Sequence, residues 1–482
     1  MRLATHYASE YKQSKNYRLV MNELFGSDDE DDGQSESQQQ AQVPRAPVAV
    51  REGLNHCGGG RGVFATSAVA AGTLILSEIP IAVWPDASSL DDPEVLLNTL
   101  EFICSDAEAL AASKTLHPRS MESADEADRL RIADVWSIEA IEALCTSVGG
   151  KVSRDDVLCL ALALQHNGFN SGLYSRLTLV NHSCRPNCIK FMPSSSTGWA
   201  SEIWTTRPVL AGEELTICYC EPAEMTSWSM RTYLQEHHRF ACACSHCLSL
   251  SQSSPSLTTS SSPPLQEAQE QLEVMERELR FQEGDEAVEI VTRSRRSIVK
   301  AEGMLKAVEA ALLLASSAGD ATCSQDDSLR LRLRLHKFIS NSAAAQIQAL
   351  EELDHRGGGA VGGRKKLKAG VLHTAAKQFL FHSLQLRDAQ LSILGDSHPD
   401  LAGTYLDVAS AFSLLFSVLG PDPAALAGAL GSLPYAWRAE GAKAEWARNK
   451  LEGQRLSKMF NRHPRYSSLV RVLTRPGDCF GL

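Results

Sequence analysis

No apolar run in this sequence reaches the length of a membrane span. The longest, Leu158–Leu164 and Ala409–Leu419, are the size of helix cores. Met1-Arg2-Leu3 is not followed by a hydrophobic signal core, which argues against secretion. Basic excess is also missing: 47 Lys and Arg stand against 58 Asp and Glu, a net charge of −11, so the chain has no basic footprint for tight nucleic-acid binding. Without a signal sequence, the 13 cysteines belong to a reducing compartment, where clustered thiols hold metal more often than they form disulfides. These absences predict an intracellular protein, in the nucleus or the cytoplasm, that binds neither membrane nor nucleic acid directly. The remainder is ordinary for a soluble globular protein: 43% hydrophobic and 22% charged residues, on a 482-residue chain long enough for two or three domains.

Residues 1–47 combine an acidic block, Asp28-Asp29-Glu30-Asp31-Asp32, with a glutamine-rich stretch (Gln38, Gln39, Gln40, Gln42). Such a segment cannot bury enough apolar surface to order itself. Within it, Leu24-Phe25-Gly26 followed by acids resembles the peptides that dock on helical-bundle domains of transcription elongation factors. Order is expected from Val48. Gly60-Arg61-Gly62-Val63-Phe64-Ala65, the turn Ala71-Gly72 and Thr73–Glu78 alternate as strand, turn and strand. Val95, Leu96, Leu97, Leu100 and Ile103, then Val135, Ile138, Ile141 and Leu144, recur near helical spacing across residues 86–160. An apolar helix at Leu158–Leu164 leads into Gln165-His166-Asn167-Gly168-Phe169. Strand-like segments follow at Cys188–Met192, Ser201–Thr205 and Leu215–Tyr219.

The Ser-, Thr- and Pro-rich stretch Ser249–Pro264 reads as a linker, and helices are expected beyond it. Leu329–Leu335 alternates strictly between Leu and Arg, as an edge strand would, but its helical neighbourhood favours a helix. A Gly-rich basic loop is expected at Gly357–Lys368, with Arg364–Lys368 a solvated cluster rather than an import signal. Gly395 and Pro399 suit the end of one helix and the start of the next.

Cys242-x-Cys244-x-x-Cys247 places three thiols within six residues, close enough to converge on one ion. Zinc bound by thiolates takes four ligands tetrahedrally, so the fourth comes from elsewhere. His246 competes for that position, although its place between Ser245 and Cys247 would strain the site.

Taken together, Val180-Asn181-His182-Ser183-Cys184-Arg185-Pro186-Asn187, Leu215-Thr216-Ile217-Cys218-Tyr219 and Phe240–Cys247 resemble the SET domain family of protein lysine methyltransferases. Within that family the chain is similar to the SMYD type. The resemblance implies an α+β fold in which an Asn-His-Ser-Cys turn crosses a tyrosine-bearing strand in a knot-like core. It places a SET domain at residues 48–248, with a helical insert at about 86–160 and a zinc-bound post-SET segment at 238–248. A linker at 249–265 and an all-α, TPR-like domain at 266–482 would follow. The TPR-like reading rests on Leu394-Gly395, His398-Pro399 and Ala402, the pattern of the C-terminal domain in SMYD-type proteins. Only Cys104 and Cys145 lie between Cys57 and Cys159, so the two-zinc MYND finger of that type is expected to be absent.

The same resemblance assigns roles. Cys184 becomes the fourth ligand of a structural Zn²⁺ with Cys242, Cys244 and Cys247. Gly60, Arg61, Gly62, Asn167, Asn181, His182 and Phe240 would bind S-adenosyl-L-methionine, the amides and backbone taking its polar parts and the phenyl ring its adenine. Tyr219 would be catalytic, orienting the substrate amine. Phe169 and His238 would wall the lysine channel, His238 standing where SMYD-type enzymes usually carry a tyrosine. Methyl transfer from a sulfonium needs alignment and a deprotonated lysine, whose ordinary value near ~10.4 falls on burial. The function implied is an S-adenosylmethionine-dependent protein-lysine N-methyltransferase acting on histone (chromatin) or non-histone proteins. The alternative is a catalytically inactive SET scaffold that works as an adaptor. Protein partners would engage the helical domain and the Leu24-Phe25-Gly26 motif.

Overall fold

The computed structural model describes residues 47–54, 60–84, 93–135, 138–193, 197–220, 227–238, 240–248, 263–279, 286–317, 321–356, 362–419 and 439–460. The Leu24-Phe25-Gly26 motif, the glutamine-rich stretch and most of the Ser/Pro linker lie outside them. The chain divides into two compact units, one ending at Ile217 and one beginning at Cys218.

The first unit contains two small sheets and a set of helices. Strands β1 (Val48–Leu54), β2 (Gly60–Ala65), β7 (Glu214–Ile217) and β4 (Asn181–His182) form one sheet in the order β1-β2-β7-β4. Strands β3 (Leu74–Glu78), β6 (Ser201–Thr205) and β5 (Cys188–Phe191) form the other. Two turns of similar sequence, Ala71-Gly72 and Ala211-Gly212, lead into β3 and β7. Their glycines have φ of +73° and +82°, which L side chains rarely adopt. Val69 and Val209, two residues apart from these turns, exchange backbone hydrogen bonds of 2.9 and 2.8 Å. The pairing that matters most is the shortest. β4 runs parallel to β7 through Asn181↔Thr216 and His182↔Ile217, and β7 runs antiparallel to β2 through Val63↔Leu215 and Phe64↔Glu214.

Between β3 and β4 lie α1 (Pro93–Ser105), α2 (Ala107–Ser113), α3 (Glu126–Val135), α4 (Ile138–Ser147) and α5 (Arg154–Asn167). The described part of residues 86–160, from Pro93 on, is mostly helical. α5 opens on a reciprocal cap: Ser153 Oγ accepts from Asp156 N at 3.1 Å while Asp156 Oδ2 accepts from Ser153 N at 3.1 Å. Its Val157, Ala161, Leu162 and Leu164 are buried in a core shared with Leu100, Ile103, Ile132 and Ile141. That core fixes where α5 ends, and so where Asn167 stands. A short 3₁₀ helix, Leu177–Leu179, then delivers the chain to β4. The Glu78 carboxylate anchors it, accepting from Ser175 N, Arg176 N and Leu177 N at 2.9–3.1 Å. One carboxylate thus holds the two residues that precede the helix and the first N–H of the helix itself.

The second unit is helical: α6 (Ser227–His237), α7 (Pro263–Glu278), α8 (Ala287–Ser317), α9 (Ala321–Arg356), α10 (Gly362–Leu394), α11 (Asp400–Leu419) and α12 (Ala439–Met459). Leu272, Ile298, Leu335, Ile339, Phe379, Leu380, Phe412 and Leu415 share its core. The alternating Leu329–Leu335 stretch is helical, inside α9. The loop expected at Gly357–Lys368 needs correction, because residues 362–368 belong to α10. Arg364-Lys365-Lys366-Leu367-Lys368 are good helix formers, and they outweigh the two glycines before them. Gly395, at φ +81°, ends α10 and Pro399 precedes α11, as expected. α11 is longer than the Ala409–Leu419 run suggested. Its 20 residues are long and apolar enough, by length and composition, to cross a membrane, yet more than half of the apolar window is buried inside the protein. Val408, Phe412 and Leu415 place it in the core of the helical unit.

Candidate functional site

Asn181 is the hinge of the first unit. Its Nδ2 donates to the Arg61 carbonyl and to Glu214 Oε1, both at 2.8 Å. One carboxamide therefore ties the Gly60–Gly62 strand to the strand that leads towards Tyr219. Asn187, almost fully buried, closes the same turn from the other end. Its Nδ2 donates to Glu213 Oε1 (3.0 Å) and to the Glu214 carbonyl (2.8 Å), while its Oδ1 accepts from Thr216 N (2.9 Å). Burial pushes the Glu213 carboxyl up, but bonds from Leu210 N, Arg207 and Asn187 outweigh it and hold the group below its ordinary value. Asn187 was quoted in the motif without a role, and no spacing rule would have given it one.

Arg61 and Asn167 converge on one loop of the helical insert. Arg61 Nη2 donates to the Thr115 carbonyl at 3.1 Å, and Asn167 Nδ2 donates to the His117 carbonyl at 2.6 Å and to Ala163 at 2.8 Å. Burial and the neighbouring Arg119 lower the Arg61 guanidinium from its ordinary value. Beside them, His166 Nε2 lies 2.8 Å from Asp128 Oδ2. His182, buried, has Nε2 3.3 Å from Cys184 Sγ. Phe169 meets Tyr174 edge to face at 5.8 Å. The sequence reading missed Lys190, whose Nζ lies over both rings, at 5.0 and 5.6 Å from their centroids.

Tyr219 lies two residues beyond β7, which ends at Ile217 rather than at the tyrosine. Its ring is 5.1 Å from His238 and 6.4 Å from Phe240, and His238 is 6.4 Å from Phe240. The structure thus gathers the three aromatic residues that the sequence assigned to catalysis, channel and adenine. It adds a fourth, Tyr233 of α6, 5.7 Å from His238. Burial, with Cys220 adding to it, raises the Tyr233 hydroxyl above its ordinary value. Its position on the helix just before His238 was the available signal.

The Sγ atoms of Cys184, Cys242, Cys244 and Cys247 all lie within 4.8 Å of one another. Tetrahedral zinc with Zn–S bonds of about 2.3 Å separates its sulfurs by about 3.8 Å, so the four thiols fit that ion with a small contraction. The set contains Cys184 and not His246. Cys188, a buried thiol four residues from Cys184, stands outside it.

Residues 60–220 match the SET domain family. The chain therefore carries a SET domain, and its relatives place that domain among those of SMYD-like SET proteins. Over 77 residues it is 43% identical to "Histone-lysine N-methyltransferase SMYD3" of Mus musculus and 42% identical to the Homo sapiens protein of that name. Each alignment covers 16% of this chain and 17% of the relative. Over 80 residues it is 34% identical to "Protein-lysine N-trimethyltransferase SMYD5" of Gallus gallus, 16% of this chain and 19% of that one. The chain thus spans well under a quarter of the length of these relatives.

Proposed function

We propose that this chain is an S-adenosylmethionine-dependent protein-lysine N-methyltransferase, acting inside the cell on histone or non-histone proteins. The observation that carries the reading is the Asn181 carboxamide. By bonding Arg61 and Glu214 it brings three separated motifs, Gly60–Gly62, Asn181–His182 and Glu214–Ile217, to one place. A scaffold could close its sheet without that convergence.

The bound methyl donor supplies a sulfonium methyl group. In this reading Gly60, Arg61, Gly62, Asn167, Asn181 and His182 hold its polar parts, and Phe240 packs on the adenine. Tyr219 orients the incoming amine by its hydroxyl, and Phe169 and His238 wall the channel. Desolvation there favours the neutral lysine, which alone has a lone pair to donate. Cys184, Cys242, Cys244 and Cys247 would hold a structural zinc whose binding free energy is folding free energy.

Calorimetric titration of zinc-replete protein with S-adenosylhomocysteine tests the reading. Wild type is expected to bind, Asn181→Ala to lose binding, and Tyr219→Phe to bind but to lose methyl transfer from labelled donor. Circular dichroism on each variant separates lost binding from lost folding. Well-folded wild type that gives no heat would leave the inactive adaptor as the better account.

A further inference from the structure

Residues 114–118 of the helical insert are held as a strap against one face of α5. Helical spacing puts Asp156, Cys159, Ala163 and Asn167 on that face, and three of them grip the strap. Asp156 Oδ1 pairs with Lys114 Nζ at 2.8 Å, Cys159 Sγ donates to the Pro118 carbonyl at 2.9 Å, and Asn167 Nδ2 donates to the His117 carbonyl at 2.6 Å. Between these points Leu116, 1% exposed, is sunk in the insert core. The hydrogen bond from Lys114 is the main cause that holds the Asp156 carboxyl below its ordinary value. From β2, Arg61 Nη2 donates to the Thr115 carbonyl at 3.1 Å. The strap therefore ties together two side chains, Arg61 and Asn167, that stand far apart in the sequence.

Donor and acceptor valence fixes what these side chains can offer a ligand. Both N–H groups of the Asn167 amide are committed, one to the His117 carbonyl and one to the Ala163 carbonyl. Two carbonyl partners leave the amide one orientation, because a flip would set its oxygen against two others. Asn167 therefore faces a ligand as an acceptor, through Oδ1. Asn181 is fixed in the same sense, since its Nδ2 donates to the Arg61 carbonyl and to Glu214 Oε1. Arg61 commits one N–H to the strap and keeps the rest of its fork as donors. Two fixed acceptors and a fixed guanidinium suit a ligand end that carries an ammonium and a carboxylate together. We propose that residues 114–118 are a positioning element for the amino-acid end of the methyl donor, and that Lys114 and Cys159 act through this strap as positioning residues. This rests on the methyltransferase reading above. Without the strap the amide would flip and the guanidinium would swing, and the donor would have to order both on binding. The order it supplies concerns the amino-acid end of the donor alone.

Calorimetry on the full, zinc-replete chain with two ligands tests this. S-adenosylhomocysteine has the amino-acid end, and methylthioadenosine lacks it. Lys114→Met combined with Cys159→Ala is expected to weaken S-adenosylhomocysteine about tenfold and to leave methylthioadenosine unchanged. Lys114→Arg, which keeps the ion pair, should bind both ligands as wild type does. So should Arg154→Met, at an exposed position of the same helix. Circular dichroism and thermal unfolding check the fold of each variant; should the double variant not fold, Lys114→Met alone is read against Lys114→Arg. Equal loss of both ligands would make the strap a general support of the fold and overturn the proposal. Wild-type affinity for S-adenosylhomocysteine in the folded double variant would overturn it as well. Both of these outcomes leave the enzyme reading intact, whereas wild type that binds neither ligand overturns that reading and the proposal with it.

Discussion

The two units use polar side chains inside the fold for different ends. In the first, such side chains stand in for backbone ladders that short strands cannot complete. Asn181 reaches Arg61 across 120 residues, and Glu78 reaches Ser175–Leu177 across 97–99. In the second, every helix satisfies its own interior backbone, and polar side chains pair with one another between helices. Ser340 meets Ser383 at 2.8 Å, Gln390 meets Thr404 at 2.7 Å, and Arg387 meets Glu445 at 2.6 Å. The same residue types thus close the fold in one unit and join finished pieces in the other. A closure of the first kind has no substitute when its side chain is removed.

The largest test of that contrast is metal. Chelation, or Cys184→Ser, is expected to remove binding free energy of about 10 kcal/mol. Thermal unfolding with and without chelator should show a large drop, with released zinc stoichiometric with the protein. A transition unchanged by chelator would show that the thiols pack as ordinary core.

Next in size is the polar comparison itself. Asn187→Leu removes three side-chain hydrogen bonds to part-buried backbone and carboxylate partners, and is expected to cost about 3 kcal/mol in denaturant unfolding. In the helical unit, Ser340→Ala with Ser383→Ala removes both partners of one bond and should be nearly neutral, whereas either alone costs about 1 kcal/mol. Equal costs for the asparagine and the paired serines would erase the distinction between the units.

Per unit of pH the effects are smaller, and there the two units should separate by window. Burial lowers both Lys190 and His336, the latter to about 3, with His382 and Arg332 adding to the effect of burial. Between its folded and its ordinary value each group is protonated only when unfolded, so stability rises with pH there. For Lys190 the window is about 7 to 10.5, and for His336 about 3 to 6.5. Each slope is at most about 1.4 kcal/mol per pH unit. Lys190→Met should flatten the alkaline window and His336→Phe the acidic one. Stability curves from chemical denaturation across pH would reveal a crossed or missing dependence.

How much of this was legible depended on whether a residue acts through its neighbours in sequence or through distant ones. The cysteine spacing, the glycine turns and the insert helices are local signals, and the structure carries them. Leu329–Leu335 shows how a local signal misleads. Its strict alternation suits a strand, yet α9 packs against helices on several sides, so Leu331, Leu333 and Leu335 are all buried although they spread around the helix. The intervening arginines find partners, as Arg334 does with Glu276 at 2.6 and 3.1 Å. At the site, Arg61, Asn181 and Tyr219 came from motif resemblance. Asn187 and Lys190 did not, because their contacts form only once residues far apart in the chain have met, whereas the nearness of Tyr233 to His238 was a local signal that went unread. A lone lysine in a strand carries no sequence mark of the two rings and of Ser171 that enclose it.

The two-residue pairing of β4 with β7 also has a consequence in time. Asn181 and His182 have no parallel partner until Thr216 and Ile217 have been made and brought back beside them. During synthesis at roughly 5–20 residues per second, the sheet must wait seconds with its centre open. The helices of the second unit can settle against the one just made, as contacts near in sequence form fast. The first unit is therefore the part most exposed to misfolding on the ribosome, and the part for which a delay in translation near residue 217 would matter most.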